Sequence, residues 1–535
     1  MFNIKNNPFS DLQSLEKLTD SEIITPFEVV KKMVELLPEE VFTNLNNRFI
    51  DVSTKSGIYL KYIFFNLLHK LPNIQLSKNN NQLDYELDED YDFTNLDDKK
   101  RFILRYMIYG IATSELSFLT SKRTLYENIN ENEDSEKNGK ILSKPIFKNW
   151  EGNIVYKKLN NEEYWFLETD IETINKELTK NIILKKDKEM KFNVIIGNPP
   201  YQKNDGGGKG NNSKPIYNLF IDKSKELKPN YMSFIIPSRW MSGGRGLDNF
   251  RKSMLNDKRF KKIIDFKNSL DCFSNVDIKG GICYFLWELK YANKCEYTIK
   301  KKEKGKEIIV SNQYRDLNKY DVLIRDNKAI NILEKVLNKI ELFNKKRNIV
   351  YMNKKVSSQS FYADMNARLF QKELKYNENI YLKGNGYKVY VNKDTFPKSN
   401  NGIGYIEKDL ITKTNIGKYI NNHKVFIPKT FRELKNKPFY GEPNSICSET
   451  YIVIDICKNK KEANNLINYF NTDLVSFLIK QKKITHNSSK ETYSFIPSLN
   501  MKYNWTNEKL YKLFNISNSE IEYMSKSIKD MAKLI

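Results

Sequence analysis

The chain has 535 residues, more than one ordinary core of roughly 100–200 residues organises, so two or more domains are expected. Hydrophobic residues make up 40% and aromatics 13%; with a mean hydropathy of −0.63 and no apolar run near the ~18 residues of a spanning helix, this argues against a membrane protein. Lys and Arg number 89 against 66 Asp and Glu, a net charge of +23, which fits a polyanionic partner but equally fits the Lys-, Asn- and Ile-rich usage of an AT-rich genome.

The first periodic segment is Thr25–Leu37. Thr25 reads as an N-cap, Pro26 as the first helical position and Glu28 as the capping-box acid. Val29, Val30, Met33, Val34 and Leu37 follow along one face. Arg48–Val52 reads as a short strand, Ser53–Gly57 as a polar turn and Tyr59–Leu71 as an amphipathic helix, the opening unit of a parallel α/β sheet. The acidic, Asn-rich stretches Asn79–Asp98 and Glu127–Lys140 read as exposed connections. Between them, Phe102–Gly110 reads as a strand preceded by a helical stretch, and Ser114–Leu125 as a helix. Lys191–Ile196 is a short apolar strand that runs into Gly197-Asn198-Pro199-Pro200-Tyr201, and Tyr231–Ile236 and Gly281–Leu286 are two further buried strands.

This alternation, sustained to about residue 290, predicts a mostly parallel, helix-covered sheet. The Lys-rich stretch Lys300–Lys306 marks a break in composition, beyond which short strands, Asn-Gly turns and a final helical pair (Glu508–Phe514, Ser519–Lys533) replace the βα rhythm. A domain boundary is expected near residue 310. Cys272, Cys283, Cys295, Cys447 and Cys457 are widely spaced and form no CxxC. Neither a disulfide scaffold nor a four-cysteine zinc site is expected, and a reducing cytoplasm is the natural location. Met1–Asp20 carries no charged-then-apolar signal pattern.

Asn198-Pro199-Pro200-Tyr201 carries the chemistry. It follows an apolar strand, and open α/β sheets bind ligands at the carboxyl ends of their strands. Consecutive prolines fix φ and supply carbonyls without N–H groups. The Asn198 amide and a proline carbonyl then face one incoming NH₂ as acceptors, and Tyr201 offers a ring to a planar heterocycle. That combination describes a reactive pocket for the exocyclic amine of adenine or, less often, cytosine. Holding both amine protons exposes a lone pair that is otherwise delocalised, so in-line methyl transfer from a sulfonium needs mainly positioning and electrostatics.

With FNVII before it, GNPPY resembles motif IV of the N6-adenine DNA methyltransferases of bacterial restriction–modification systems. TPFEVV resembles the cofactor-side helix of motif X, FIDVSTKSGIYL stands where motif I belongs, and CFSNVDIKGGICYFL resembles motif VIII. That order, with a further domain last, is the gamma arrangement. The resemblance implies a Rossmann-like class I methyltransferase domain over residues 1–310 and an α+β target-recognition domain over 311–535. It further implies S-adenosyl-L-methionine as cofactor, no metal for methyl transfer, double-stranded DNA as substrate and a cognate restriction endonuclease as a possible partner.

Residue by residue, the resemblance implies Asn198, Pro199, Pro200 and Tyr201 as catalytic, and Thr25, Pro26, Asp51, Ser56 and Gly57 as cofactor-binding. Motif I departs from the family pattern, with Val52 in place of its proline and Lys55 in place of its first glycine. In GIATSE, Ala112 stands where the ribose-binding acid is expected, so Glu115, one helical turn on, is the substitute. Its alternative role is to stabilise a helix N-terminus. Asp170 is the candidate acid beside the cofactor adenine, and Phe273 the aromatic against the target base or an ordinary core residue. Gly206–Gly210 lacks the flanks of a phosphate loop and reads as a segment that orders over a flipped nucleotide.

Reaching a paired adenine requires extruding it from the stack. Arg239 and Arg245 are the expected phosphate contacts, while Arg251 and Arg259 read as a solvated helix face. Base readout is expected among Lys393, Asn400, Lys413 and Arg432. Three rival readings stand beside this one. A glutamine methyltransferase acting on protein shares the tetrapeptide but not a C-terminal domain of this size. A fused nuclease–methyltransferase is disfavoured by the ~20 residues preceding motif X, too few for an N-terminal nuclease domain. A degenerate methyltransferase fold kept for DNA binding would account for the altered motif I.

Overall fold

The computed structural model describes residues 17–19, 22–80, 82–126, 152–159, 164–203, 214–242, 246–274, 276–347, 381, 384–391, 401–412, 419–429, 438–448, 451–482, 488 and 490–534. Contacts divide the chain into two units, Met1–Leu323 and Ile324–Ile535.

The first unit is built on nine strands: β1 Phe49–Thr54, β2 Ile108–Ala112, β3 Ile154–Val155, β4 Val194–Gly197, β5 Tyr231–Pro237, β6 Phe260–Phe266, β7 Ile282–Glu288, β8 Cys295–Glu303 and β9 Lys306–Arg315. Across the sheet they run β3-β2-β1-β4-β5-β7-β6-β8-β9. Neighbours are parallel except where β7 is inserted antiparallel between β5 and β6, and where β9 folds back on β8. Residues of β1, β2 and β4 are buried throughout, the pattern of strands covered on both faces. From β1 the chain crosses to β2 and β3 on one side, then returns to place β4 on the other. The strand order therefore reverses between β1 and β4, and a crevice opens at their carboxyl ends.

The helices that frame this crevice are α1 Phe27–Val34, α2 Ile58–Lys70, α3 Glu115–Tyr126, α4 Ile171–Leu178 and α5 Tyr217–Glu226. In α1, Val29, Val30, Met33 and Val34 are buried as the periodicity predicts, but Thr25 is not its cap. Pro26 holds the N-cap position without a side-chain bond, and its carbonyl accepts from Val29 and Val30. The expected strand at Phe102–Gly110 is displaced: Ile103–Met107 form a π-turn and β2 begins at Ile108. Asn153 accounts for this, because its Nδ2 donates to the carbonyls of Leu104, Arg105 and Ile108 at 2.8–3.1 Å. Those are acceptors that the widened turn would otherwise leave unpaired.

The Lys-rich break is itself structured. Lys304 and Gly305, both at positive φ, make the tight turn between β8 and β9. The boundary expected near residue 310 thus falls inside β9. In the second unit, β10 Tyr387–Tyr390, β11 Ile403–Ile406, β12 His423–Pro428, β13 Phe439–Gly441, β14 Ser445–Cys447 and β15 Tyr451–Cys457 form two three-stranded sheets, β11-β10-β14 and β13-β12-β15. Val389, Ile406, Phe426 and Ile446 share their core. Helices α6 Lys460–Phe470, α7 Asp473–Lys482, α8 Asn507–Phe514 and α9 Asn518–Leu534 follow, so the unit is α+β. The cysteines are all free thiols. Among the described residues no helix is long and apolar enough to cross a membrane.

Candidate active site

The crevice is tight because β4 ends in glycine. A Cβ on Gly197 would stand 2.6 Å from Asp51 Oδ1 and 3.0 Å from Ser53 Oγ. Asn198 follows directly and is buried. Its Nδ2 donates to the Ile23 carbonyl at 3.0 Å and to Thr25 Oγ1 at 3.1 Å. The Ile23 carbonyl can only accept, so the amide nitrogen must face it, and this sets which way the group points. Asn198 Oδ1 is then left buried without a hydrogen-bond partner among the described residues. Buried acceptors are rarely left so, and the exceptions gather where a ligand completes the set.

Thr25 is available for this work because Pro26 takes over the start of α1. Its Oγ1 also accepts from Tyr59 Oη at 3.0 Å. On the β1 side, Asp51 is buried and accepts from Ser53 N–H at 3.0 Å. Burial pushes its carboxyl up to about 7, against the opposing pull of the Ser53 N–H and the Lys55 charge. Lys55 turns inward, 5% exposed, with Nζ 3.0 Å from the same Ile23 carbonyl. Gly57 starts α2 at φ +74°, with its face to Ser121 of α3: a Cβ there would meet the Ser121 carbonyl at 3.0 Å. Thr25, Asp51, Lys55, Ser56, Gly57 and Asn198 line one small cleft. A larger cavity, between Phe118, Lys122, Gly152 and Glu177, contains none of the predicted site residues. The smaller cleft lies at the reversal of strand order, where the chemistry belongs.

The other predicted residues divide. Pro199 and Pro200 are buried beside Asn198. The Tyr201 ring packs against the main core, and its buried hydroxyl lies near the Asn198 amide without a hydrogen bond of ordinary geometry. Burial pushes that phenol well above its ordinary range. Phe273 is 2% exposed within the same core. Arg239 is half-buried on the turn Ser238–Met241 that follows β5, and its charge acts on Tyr217 at the start of α5. Glu115 is the exposed first residue of α3. Asp170 caps α4, accepting from Thr173 N–H and Oγ1 at 2.8 Å each, bonds that hold its carboxyl below the usual range. Arg251 pairs with Asp248 and Arg259 with Asp257. Arg245, Gly206–Gly210, Lys393, Asn400, Lys413 and Arg432 lie outside the described residues.

Three contributors escaped the sequence reading. Ile23 acts through its carbonyl, which no side-chain pattern encodes. Tyr59 read as a position on an amphipathic helix, and Lys55 as a mere departure from a glycine pattern.

Residues 106–273, which include Asn198–Tyr201, match the family model described as Eco57I restriction-modification methylase. Over 342 residues the chain is 30% identical to an uncharacterized adenine-specific methylase of Mycoplasma pneumoniae, covering 57% of this chain and 76% of that protein. The chain belongs to the adenine-specific methylases. Similar solved structures include the type IIL restriction-modification enzyme MmeI in complex with DNA, at 12% identity and TM-score 0.44, covering 95% of this chain and 73% of that one. The type IIG restriction endonuclease BpuSI is similar at 11% identity and TM-score 0.36, over 95% of this chain. The methylase spans only 61% of the length of BpuSI.

Proposed function

We propose that this methylase transfers a methyl group from S-adenosyl-L-methionine to the N6 amine of an adenine flipped out of double-stranded DNA, as the modification component of a restriction–modification system. The observation that carries the reading is the buried, unpartnered Asn198 Oδ1, held by Ile23 and Thr25.

In this reading Oδ1 accepts one N6 proton and the Pro199 carbonyl accepts the other. Accepting both protons favours a pyramidal nitrogen, which takes its lone pair out of conjugation with the ring and directs it toward the methyl group; the methylated N6 then releases one of these protons to water. Tyr201 stacks on the purine, and Phe273 packs behind it from the core. The cofactor supplies the electrophilic methyl carbon when bound. The cleft residues fit its amino-acid end: the buried Asp51 carboxyl, bonded to Ser53 N–H, feels the Lys55 charge, Thr25 and Ser56 add hydroxyls, and Pro26 sets the backbone between Thr25 and α1. Glu115, in the first turn after β2, is the candidate acid for the ribose. Asp170 already spends its oxygens on Thr173, and no cofactor role is given to it.

Extrusion of the base costs a few kcal/mol, which contacts to the phosphates must offset. Arg239 and Arg245 are proposed for those contacts, and the unit from Ile324 onward for base readout. The test is Asn198→Ala, assayed by transfer of radiolabelled methyl to duplex DNA in the presence of EDTA. We expect transfer by the wild type and a loss of roughly 10²-fold or more in the variant, with duplex affinity unchanged within a few-fold. Undiminished methylation by the variant would remove the role given to Asn198.

A further inference from the structure

Lys55 occupies a place where a side chain of any length is unexpected, in the turn that joins β1 to α2. It is nonetheless buried, lines the cleft with Asp51 and Asn198, and feels the Asp51 charge. Bringing an ammonium out of water is costly unless an anion or strong acceptor meets it. Asp51, in β1, and Lys55, in the turn that follows, therefore present a carboxyl group and an ammonium to the same small space. That is the complement of a zwitterionic α-amino acid, whose own ammonium and carboxylate need partners of opposite sign.

We infer that Lys55 binds the carboxylate of the methyl donor's amino-acid end, opposite Asp51, which takes its ammonium. The inference rests on the methyltransferase reading above. It also links the two halves of the site. Lys55 Nζ and Asn198 Nδ2 both donate to the Ile23 carbonyl. A cofactor carboxylate that draws the ammonium away leaves this carbonyl to Asn198 alone, so filling one end of the cleft strengthens the hold on the catalytic amide at the other.

The experiment measures binding, not turnover. S-adenosylhomocysteine and 5′-methylthioadenosine share the thioadenosine part, but the second lacks the amino-acid end. Both are titrated by calorimetry into the full-length wild type, Lys55→Met and Lys55→Arg. Lys55→Met is expected to weaken S-adenosylhomocysteine by about tenfold or more, as removal of one charge-assisted contact should. Methylthioadenosine should bind as before, and Lys55→Arg should restore most of the loss. Equal affinity of wild type and Lys55→Met for S-adenosylhomocysteine overturns the proposal. So does an equal loss for both ligands, which marks Lys55 as a purely structural group. A wild type that binds neither ligand overturns the methyltransferase reading itself.

Discussion

Thr25 owes its place in the cleft to the residue after it. Because Pro26 holds the N-cap position, Thr25 lies outside the helix start and its hydroxyl turns inward to Asn198 and Tyr59. Thr25→Val keeps the shape and removes the acceptor. Asn198 is then held by Ile23 alone, and kcat should fall about tenfold while S-adenosylhomocysteine affinity changes little; Thr25→Ser should recover most of the rate. Asp51 offers a different test. Its folded pKa of about 7 lies above the ordinary 3.8, so between those values the folded state holds more protons than the unfolded one. Stability must therefore fall as pH rises through this window, by at most about 1.4 kcal/mol per pH unit from this group. Urea denaturation of Asp51→Asn at pH 5, 6 and 7 should show that slope reduced relative to wild type. At this scale the site was half legible. Asn198 was readable because paired prolines have few other uses after an apolar strand. Thr25 reads as a cap because a threonine before a helix does so whether or not it serves as one, and only the structure turns its hydroxyl to Asn198.

Among the elements, the strand–turn–helix from β1 to α2 tolerates little change at its glycine. Gly57 sits in left-handed backbone with the Ser121 carbonyl 3.0 Å from where a Cβ would be. Gly57→Ala should cost about 1–3 kcal/mol, read as a lower urea midpoint at unchanged m-value. The buried strands announced themselves by continuous Val, Ile and Phe. Two elements did not. β2 was read six residues too early because Ile103–Met107 are largely apolar too, and only the distant Asn153 reveals why they coil instead. β8 and β9 were hidden by their lysines, which lie on a hairpin at the edge of the sheet, where charged side chains deter pairing with another chain. Lys304 in the left-handed turn position, in place of the usual Asn or Asp, removed the remaining signal.

For the whole molecule, charge is the property that most invites measurement. A surplus of 23 positive charges on a DNA enzyme should make duplex affinity fall linearly with the logarithm of salt concentration. Arg239→Ala should weaken binding and reduce that slope by about one. An unchanged slope would take Arg239 out of the phosphate contacts. Two units were expected from length alone, yet the division after Leu323 was not readable, because the hairpin that closes the first sheet resembles a linker in composition.

The bond from Asn198 to the Ile23 carbonyl joins residues 175 positions apart. Bringing such distant segments together carries a loop-closure cost that only a largely assembled sheet can offset. A chain with its strands in register but its first residues still astray would hold the tetrapeptide unaimed. Asn198 is therefore expected to be aimed only late in folding, after the sheet has assembled.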